Sequence, residues 1–131
     1  TAGKGTEDAK CRNLWQFIDI ARKRDLPIIM GTEMNSPGQK FVDDFAAAEL
    51  SPFLTDAQAG AYTIYGHFVM QRYAGLGYTS QWARTNFPKR ANKNEYYRKL
   101  GAAIVPGRES ELKGLTAAAN PADILRKFEV K

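Results

Sequence analysis

Leu26-Pro27-Ile28-Ile29-Met30-Gly31-Thr32-Glu33-Met34-Asn35 is the stretch on which the fold turns. Its apolar half runs without polar alternation, the pattern of a strand covered on both faces, as in a parallel sheet. Pro27 is compatible with the first residue of a strand. The sequence therefore predicts a short buried strand over residues 27–31 with a polar strand end at 32–36. Upstream, Thr6 is placed to cap a helix whose first turn carries Glu7 and Asp8, the sign the helix dipole favours. Cys11, Leu14, Trp15, Ile18 and Ala21 follow at helical spacing, with Phe17 and Ile20 widening the stripe, and Arg22, Lys23 and Arg24 close the last turn. Downstream, Ser36-Pro37-Gly38-Gln39 has the form of a capping box with proline at the first helical position. It predicts a helix through about Glu49 that buries Phe41, Val42, Phe45, Ala46 and Leu50. Residues 7–50 thus read helix, strand, helix, the repeating unit of α/β proteins.

After Pro52 the pattern becomes helical. Thr55-x-x-Gln58 is a second capping box, and a long helix to Ala74, apolar around much of its circumference, should stop at Gly75 and Gly77. Shorter helices are expected over 80–86, from Asn92 to about Leu100, weakly over 109–115, and from Asn120-Pro121 to Lys127. Residues 102–105 fit either a helix end or a short strand. There is no internal repeat and no low-complexity linker. A buried strand must pair its backbone groups, and only 102–105 and 128–130 offer partners. The expected class is therefore mostly α with one short buried strand, an α/β fragment. It would be a single unit forming the C-terminal part of a larger α/β barrel protein, with helix-strand-helix over 1–50 and a helical cap over 51–131. The alternative is a compact helical domain in which 27–31 is a buried extended connector.

Composition narrows the function classes. The chain has 131 residues, 44% hydrophobic and 25% charged, which is ordinary for one globular domain. No apolar run approaches the roughly 18–20 residues of a membrane span, so no membrane partner is expected. The single cysteine, Cys11, rules out an internal disulfide framework and suits a reducing, cytoplasmic setting. The net charge of +5 permits an anionic partner without requiring one. Thr1 to Gly5 reads as a flexible lead, and Thr1 to Lys10 lacks the apolar core of a signal peptide. Because Thr1 is not methionine, the expectation is a trimmed chain or a piece of a longer polypeptide.

Functional groups in α/β folds gather at strand ends beside helix N-termini. Here that place holds Glu33, Asn35 and Ser36. On an extended backbone Glu33 and Asn35 point to one side. Glu33 suits a general base or a ligand for a hard divalent cation, and Asn35 suits a hydrogen bond to substrate. The competing reading is that both merely satisfy backbone donors in a turn. The stretch resembles the closing barrel strand of the polymerase-and-histidinol-phosphatase (PHP) metallohydrolase superfamily, whose late strand often ends Gly-Ser-Asp-x-His. Gly31 and Thr32 match the Gly-Ser, Glu33 takes the Asp place and Asn35 the His place, over about ten residues. The resemblance implies a distorted α/β barrel and metal-dependent phosphoester hydrolysis, with Glu33 catalytic, Glu33 and Asn35 as metal ligands, and Asn35 and Ser36 against substrate. An amide is a weaker ligand than imidazole, and the chain has one histidine in total. The family's other ligands lie on earlier strands. The divalent metal is therefore expected in the parent protein, with no cofactor in the isolated chain and no activity from it.

His67, amid apolar residues of the long helix, reads as a packed or surface histidine, and Cys11 as an inert buried thiol. Asp43 and Asp44, adjacent on a helix, diverge by about 100° and do not suggest a shared metal site. Residues 72–99 hold seven cations against Glu95 alone, interleaved with Tyr73, Tyr78, Trp82, Phe87, Tyr96 and Tyr97. That composition fits a single-strand nucleic-acid surface or, equally, helices that bury aromatics and solvate lysines. Without a docking motif, nucleic acid is disfavoured. Arg84, Lys89 and Arg90 are candidates to hold a phosphate-bearing small molecule. Three functions remain as expectations: the C-terminal part of a PHP-like metal-dependent hydrolase, a mostly helical basic module for nucleic acid or another anionic partner, and a structural or protein-interaction domain. The expected partner is the remainder of the parent chain or a second copy in a homo-oligomer.

Overall fold

The computed structural model describes residues 3–129, so Thr1 and Ala2 of the expected lead and Val130 of the second candidate strand partner lie outside the described residues. The chain divides into two compact units, one ending at Gln58 and one beginning at Ala59. Five α-helices order the described residues: α1 Lys4–Lys23, α2 Leu54–Ala74, α3 Gln81–Asn86, α4 Arg90–Ala103 and α5 Pro121–Phe128. Two 3-10 turns accompany them, at Ser51–Phe53 and Glu109–Leu112. No strand occurs among the described residues. This overturns the helix-strand-helix unit and the buried strand at 27–31.

The first unit shows why. α1 ends in a tight C-terminal motif: Arg24 N–H donates to Ile20 O, and Leu26 N–H reaches back to Ala21 O at 2.9 Å. Asp25, at φ 51°, takes the left-handed position that glycine usually fills. Residues 26–35 then run without regular structure. Only Ile28 is buried there, packed with Ile18, Ala21 and Phe53, while Ile29 is 60% exposed. A strand covered on both faces needs both isoleucines inside and a neighbour for its backbone. Residues 102–103 belong to α4 and 128 to α5, and no strand forms at 104, 105 or 129, so the described part of neither expected partner pairs with 27–31. The connector alternative is nearer, although most of the segment is open rather than buried.

The helix expected through Glu49 is also absent, and Phe41 and Val42 are 82% and 67% exposed. Half of the Ser36–Gln39 box does form, since the Gln39 Oε1 accepts from Ser36 N–H at 3.0 Å and from Asn35 N–H at 2.7 Å. Gly38 at φ 83° then turns the chain out of helical geometry. The Asp43 and Asp44 side groups take part in local turns: Asp43 bonds Thr32, and Asp44 Oδ1 accepts from Ala46 N–H. Such short polar side chains compete with the helical ladder. The argument from helical divergence of Asp43 and Asp44 therefore lapses. Arg22 closes the unit with a two-pronged bond to Asp56, with distances of 3.0 and 2.6 Å.

The second unit has a larger core of Val69, Met70, Trp82, Tyr97, Leu100, Leu112, Ile124 and Phe128 with their neighbours. α2 and α4 meet at two glycines. A methyl on Gly66 would overlap the Tyr97 carbonyl oxygen, and one on Gly101 would overlap that of Tyr62. Gly75, at φ 69°, stops α2 as expected. The connector after it is pinned by Tyr97 Oη donating to Leu76 O (2.6 Å) and Tyr78 N–H donating to His67 Nδ1 (3.0 Å). Ser80 caps α3 and Asn120 caps α5, each accepting a backbone N–H. α4 starts at Arg90, two residues before the expected Asn92 cap, with no side-chain cap. Residues 109–112 make one 3-10 turn, and Ile104 and Val105 lie beyond the end of α4.

Two stability outcomes follow, of opposite sign. Gly101→Ala forces backbone against backbone and should cost upward of ~3 kcal/mol by urea denaturation. The Tyr96 hydroxyl is buried without a partner among the described residues. Tyr96→Phe removes that uncompensated group and should raise stability by roughly 1 kcal/mol in the same measurement.

Candidate functional site

Glu33, Asn35 and Ser36 sit on the exposed loop of the first unit. Asn35 Nδ2 donates to Glu33 Oε1 at 3.4 Å, so the two side chains do face one another. Thr32 Oγ1 donates to Asp43 Oδ2 at 3.1 Å and accepts from Asp43 N–H at 3.0 Å, which folds the far end of the loop back onto its start. Thr32 and Asp43 were not legible as a pair, because a helix over 37–49 would have carried Asp43 away. The signal that finds them is the Ser-Pro-Gly turn between them. A hard divalent cation takes six or more oxygen ligands, mostly carboxylates and waters. One carboxylate already bonded by an amide does not fit that need. Among the described residues, no three His, Cys, Asp or Glu side chains come together. The chain's own residues therefore do not compose the metal centre that the PHP resemblance implies.

The cations expected to hold phosphate belong to the second unit. Arg84 is exposed on α3, and Lys89 and Arg90 are exposed at the start of α4. The first turn of α4 has no acid. A helix start favours anions, and Lys89, Arg90 and Lys93 surround this one with positive charge. Lys93 Nζ lies 4.3 Å from the Tyr78 ring centre. Residues 59–131 contain twelve Lys and Arg against five Asp and Glu, while residues 1–58 contain seven against nine.

Most of those five acids are committed locally. Glu95 binds Arg98 and Lys99, Glu111 binds Arg108, and Asp123 binds Arg126. The Arg98 hydrogen bond holds the Glu95 carboxyl below the usual range. Glu109 accepts from Tyr65 Oη at 2.9 Å and from Gly107 N–H at 2.7 Å. Burial first, and the Glu109 bond second, push the Tyr65 phenol up to about 12. Of the aromatic groups read as a base-stacking surface, three are core and Tyr73, Tyr78 and Phe87 are half-buried against it. Trp82, Tyr96 and Tyr97 are buried, and Phe87 stacks on Tyr96 with ring centres 4.6 Å apart. His67 serves as a backbone acceptor in the connector after α2, and Cys11 is half-buried rather than buried.

Comparison with protein-family models, with curated proteins and with solved structures finds no match to this chain. None of the helices among the described residues is long and apolar enough to cross a membrane.

Because Glu33 and Asn35 are exposed and bond only each other and their own loop, Glu33→Gln and Asn35→Ala should each change thermal stability by less than about 0.5 kcal/mol. A melting curve for each variant tests this, and a larger loss would mean that these residues are structural.

Proposed function

We propose that the chain is an assembly module whose first unit is completed by another polypeptide. One observation carries this reading. Phe17, Ile20, Leu26, Ile29, Met34, Phe41 and Val42 are all exposed within one short stretch, against a buried cluster of only Ile18, Ala21, Ile28 and Phe53. Scattered exposed apolar residues are normal, but a concentration of them marks a contact surface. None of the backbone N–H groups of residues 28–34 donates to another described residue, which leaves that backbone open to a neighbouring chain. A cytoplasmic setting belongs to the proposal, and the free thiol of Cys11 supports it.

A second reading gives the partner an identity. If the PHP resemblance holds, the missing polypeptide is the body of a metal-dependent phosphoesterase. The folded-back loop that joins Thr32 to Asp43 and Glu33 to Asn35 favours it, since it collects polar groups on the same face-seeking unit. Glu33 would then contribute one carboxylate to a centre built mainly by the partner.

Sedimentation velocity over a concentration series tests assembly with a second copy. Association is expected, and the Ile29→Ser, Phe41→Ser double variant should weaken it at least about tenfold, the scale of two lost apolar anchors. For assembly within a larger protein, hydrogen exchange at residues 28–34 should be fast in the isolated chain and slow in that protein. A monomer at every concentration, together with unchanged exchange in the larger protein, contradicts the proposal. Metal-dependent phosphoesterase activity of the larger protein that falls on Glu33→Gln supports the second reading.

A further inference from the structure

Two cations of the second unit converge on one aromatic ring. Arg72, in the last turn of α2, places its guanidinium carbon 5.8 Å from the Tyr73 ring centre and 6.0 Å from that of Phe68. Lys113, which follows the 3-10 turn at Glu109–Leu112, places Nζ 5.9 Å from the same Tyr73 ring. Both cations are exposed, Phe68 is 54% exposed, and Tyr73 packs against the core. Neither Arg72 nor Lys113 has a carboxylate partner among the described residues. The nearby acids that could have neutralised them are spent: Glu109 on Tyr65 and Gly107, Glu111 on Arg108. The Tyr73 ring attracts both cations, and the two centroid distances place the Arg72 guanidinium carbon and Lys113 Nζ at most about 12 Å apart, both exposed to solvent.

We propose that Arg72 and Lys113 form a binding site for an organic diphosphate or bisphosphate. A planar guanidinium meets two oxygens of one phosphate, and the ammonium acts as a point charge for the second. Two cations on one ring suit a ligand with two anionic groups better than one with a single group. The exposed Phe68 ring gives the organic part an apolar face. A nucleic-acid strand is the weaker fit, because Trp82, Tyr96 and Tyr97, which could have stacked its bases, are inside the core. This site is independent of the assembly surface of the first unit.

Calorimetric titration of the whole chain with inorganic pyrophosphate at low ionic strength tests the site. One saturable site is expected, with Arg72→Gln and Lys113→Gln each weakening it about tenfold, the cost of a lost charged hydrogen bond. Arg12→Gln, which removes an exposed cation from α1, should leave affinity within about twofold. Absence of saturable binding overturns the proposal, as does an equal loss from Arg12→Gln. Inorganic phosphate that binds as tightly as pyrophosphate also overturns it. So does a short DNA duplex, or vesicles of anionic lipid, that bind more tightly than pyrophosphate and are insensitive to Arg72→Gln.

Discussion

The contact between α2 and α4 governs the second unit. Gly66 and Gly101 bring the two helices so close that a single methyl on either would meet the other helix's carbonyl oxygen. At that separation the long side chains beside the crossing must leave it, and they do so in one direction. Val69 and Met70 on α2, and Tyr97 and Leu100 on α4, pack into one cluster with Trp82, Ile124 and Phe128. A wider crossing would leave this cluster underpacked, and interiors tolerate voids poorly. The helix edge then fixes the connector, because Tyr97 Oη, His67 and Gln71 each hold one backbone group of Leu76, Tyr78 and Gly77.

That core also explains the surface. Helices that turn Trp82, Tyr96 and Tyr97 inward leave their lysines and arginines outward, and the one acid on them, Glu95, is taken by Arg98 and Lys99 three and four residues away. Such local pairs add little stability in water. Each such pair is locally neutral, and the excess of twelve Lys and Arg over five Asp and Glu in residues 59–131 is what makes this unit positive. The positive face therefore follows from packing in this unit, and aromatic interleaving in the sequence was a sign of core, not of base stacking.

Legibility tracked local physics. Helices α3 and α5 were readable from the caps Ser80 and Asn120, and α1 and α2 from 3.6-residue periodicity with Gly75 as a stop. Even so, α1 begins at Lys4 after Gly3, not at a Thr6 cap, and α2 begins at Leu54, before Thr55. The start of α4 was missed by two residues, since its first turn is positive and uncapped, against the usual preference. The strand and the helix after it were misread for a different reason. An apolar run such as Leu26-Pro27-Ile28-Ile29-Met30 states that burial is wanted but not what supplies it. Strand pairing is non-local, and no local pattern can reveal whether a partner exists. The Ser36–Gln39 box bonded as its chemistry dictates, yet Gly38 and the two aspartates diverted the chain. Glu33 and Asn35 were legible as a facing pair, whereas Thr32 with Asp43 depended on the turn that replaced the expected helix.

The two units differ in how completely they satisfy their own apolar residues, and this difference orders the functional readings. In the second, large side chains such as Tyr97, Leu112 and Phe128 reach zero exposure. In the first, α1 buries Ile18 and Ala21 but leaves Phe17 and Ile20 in water, and the connector buries Ile28 but leaves Ile29 out. The adjacent residues Ile28 and Ile29 of this irregular segment thus differ, one covered by the unit and one left exposed. Arg22 and Asp56 fasten the covered side and do nothing for the other. Under the assembly proposed above, a second polypeptide would cover Ile29 and Phe41 and pair with the backbone N–H groups of residues 28–34. Catalysis at Glu33 would require that same polypeptide, since the loop brings one carboxylate where a cation would need several. On the proposed reading assembly comes before chemistry, because a catalytic role for Glu33 would presuppose the contact proposed for the exposed apolar residues.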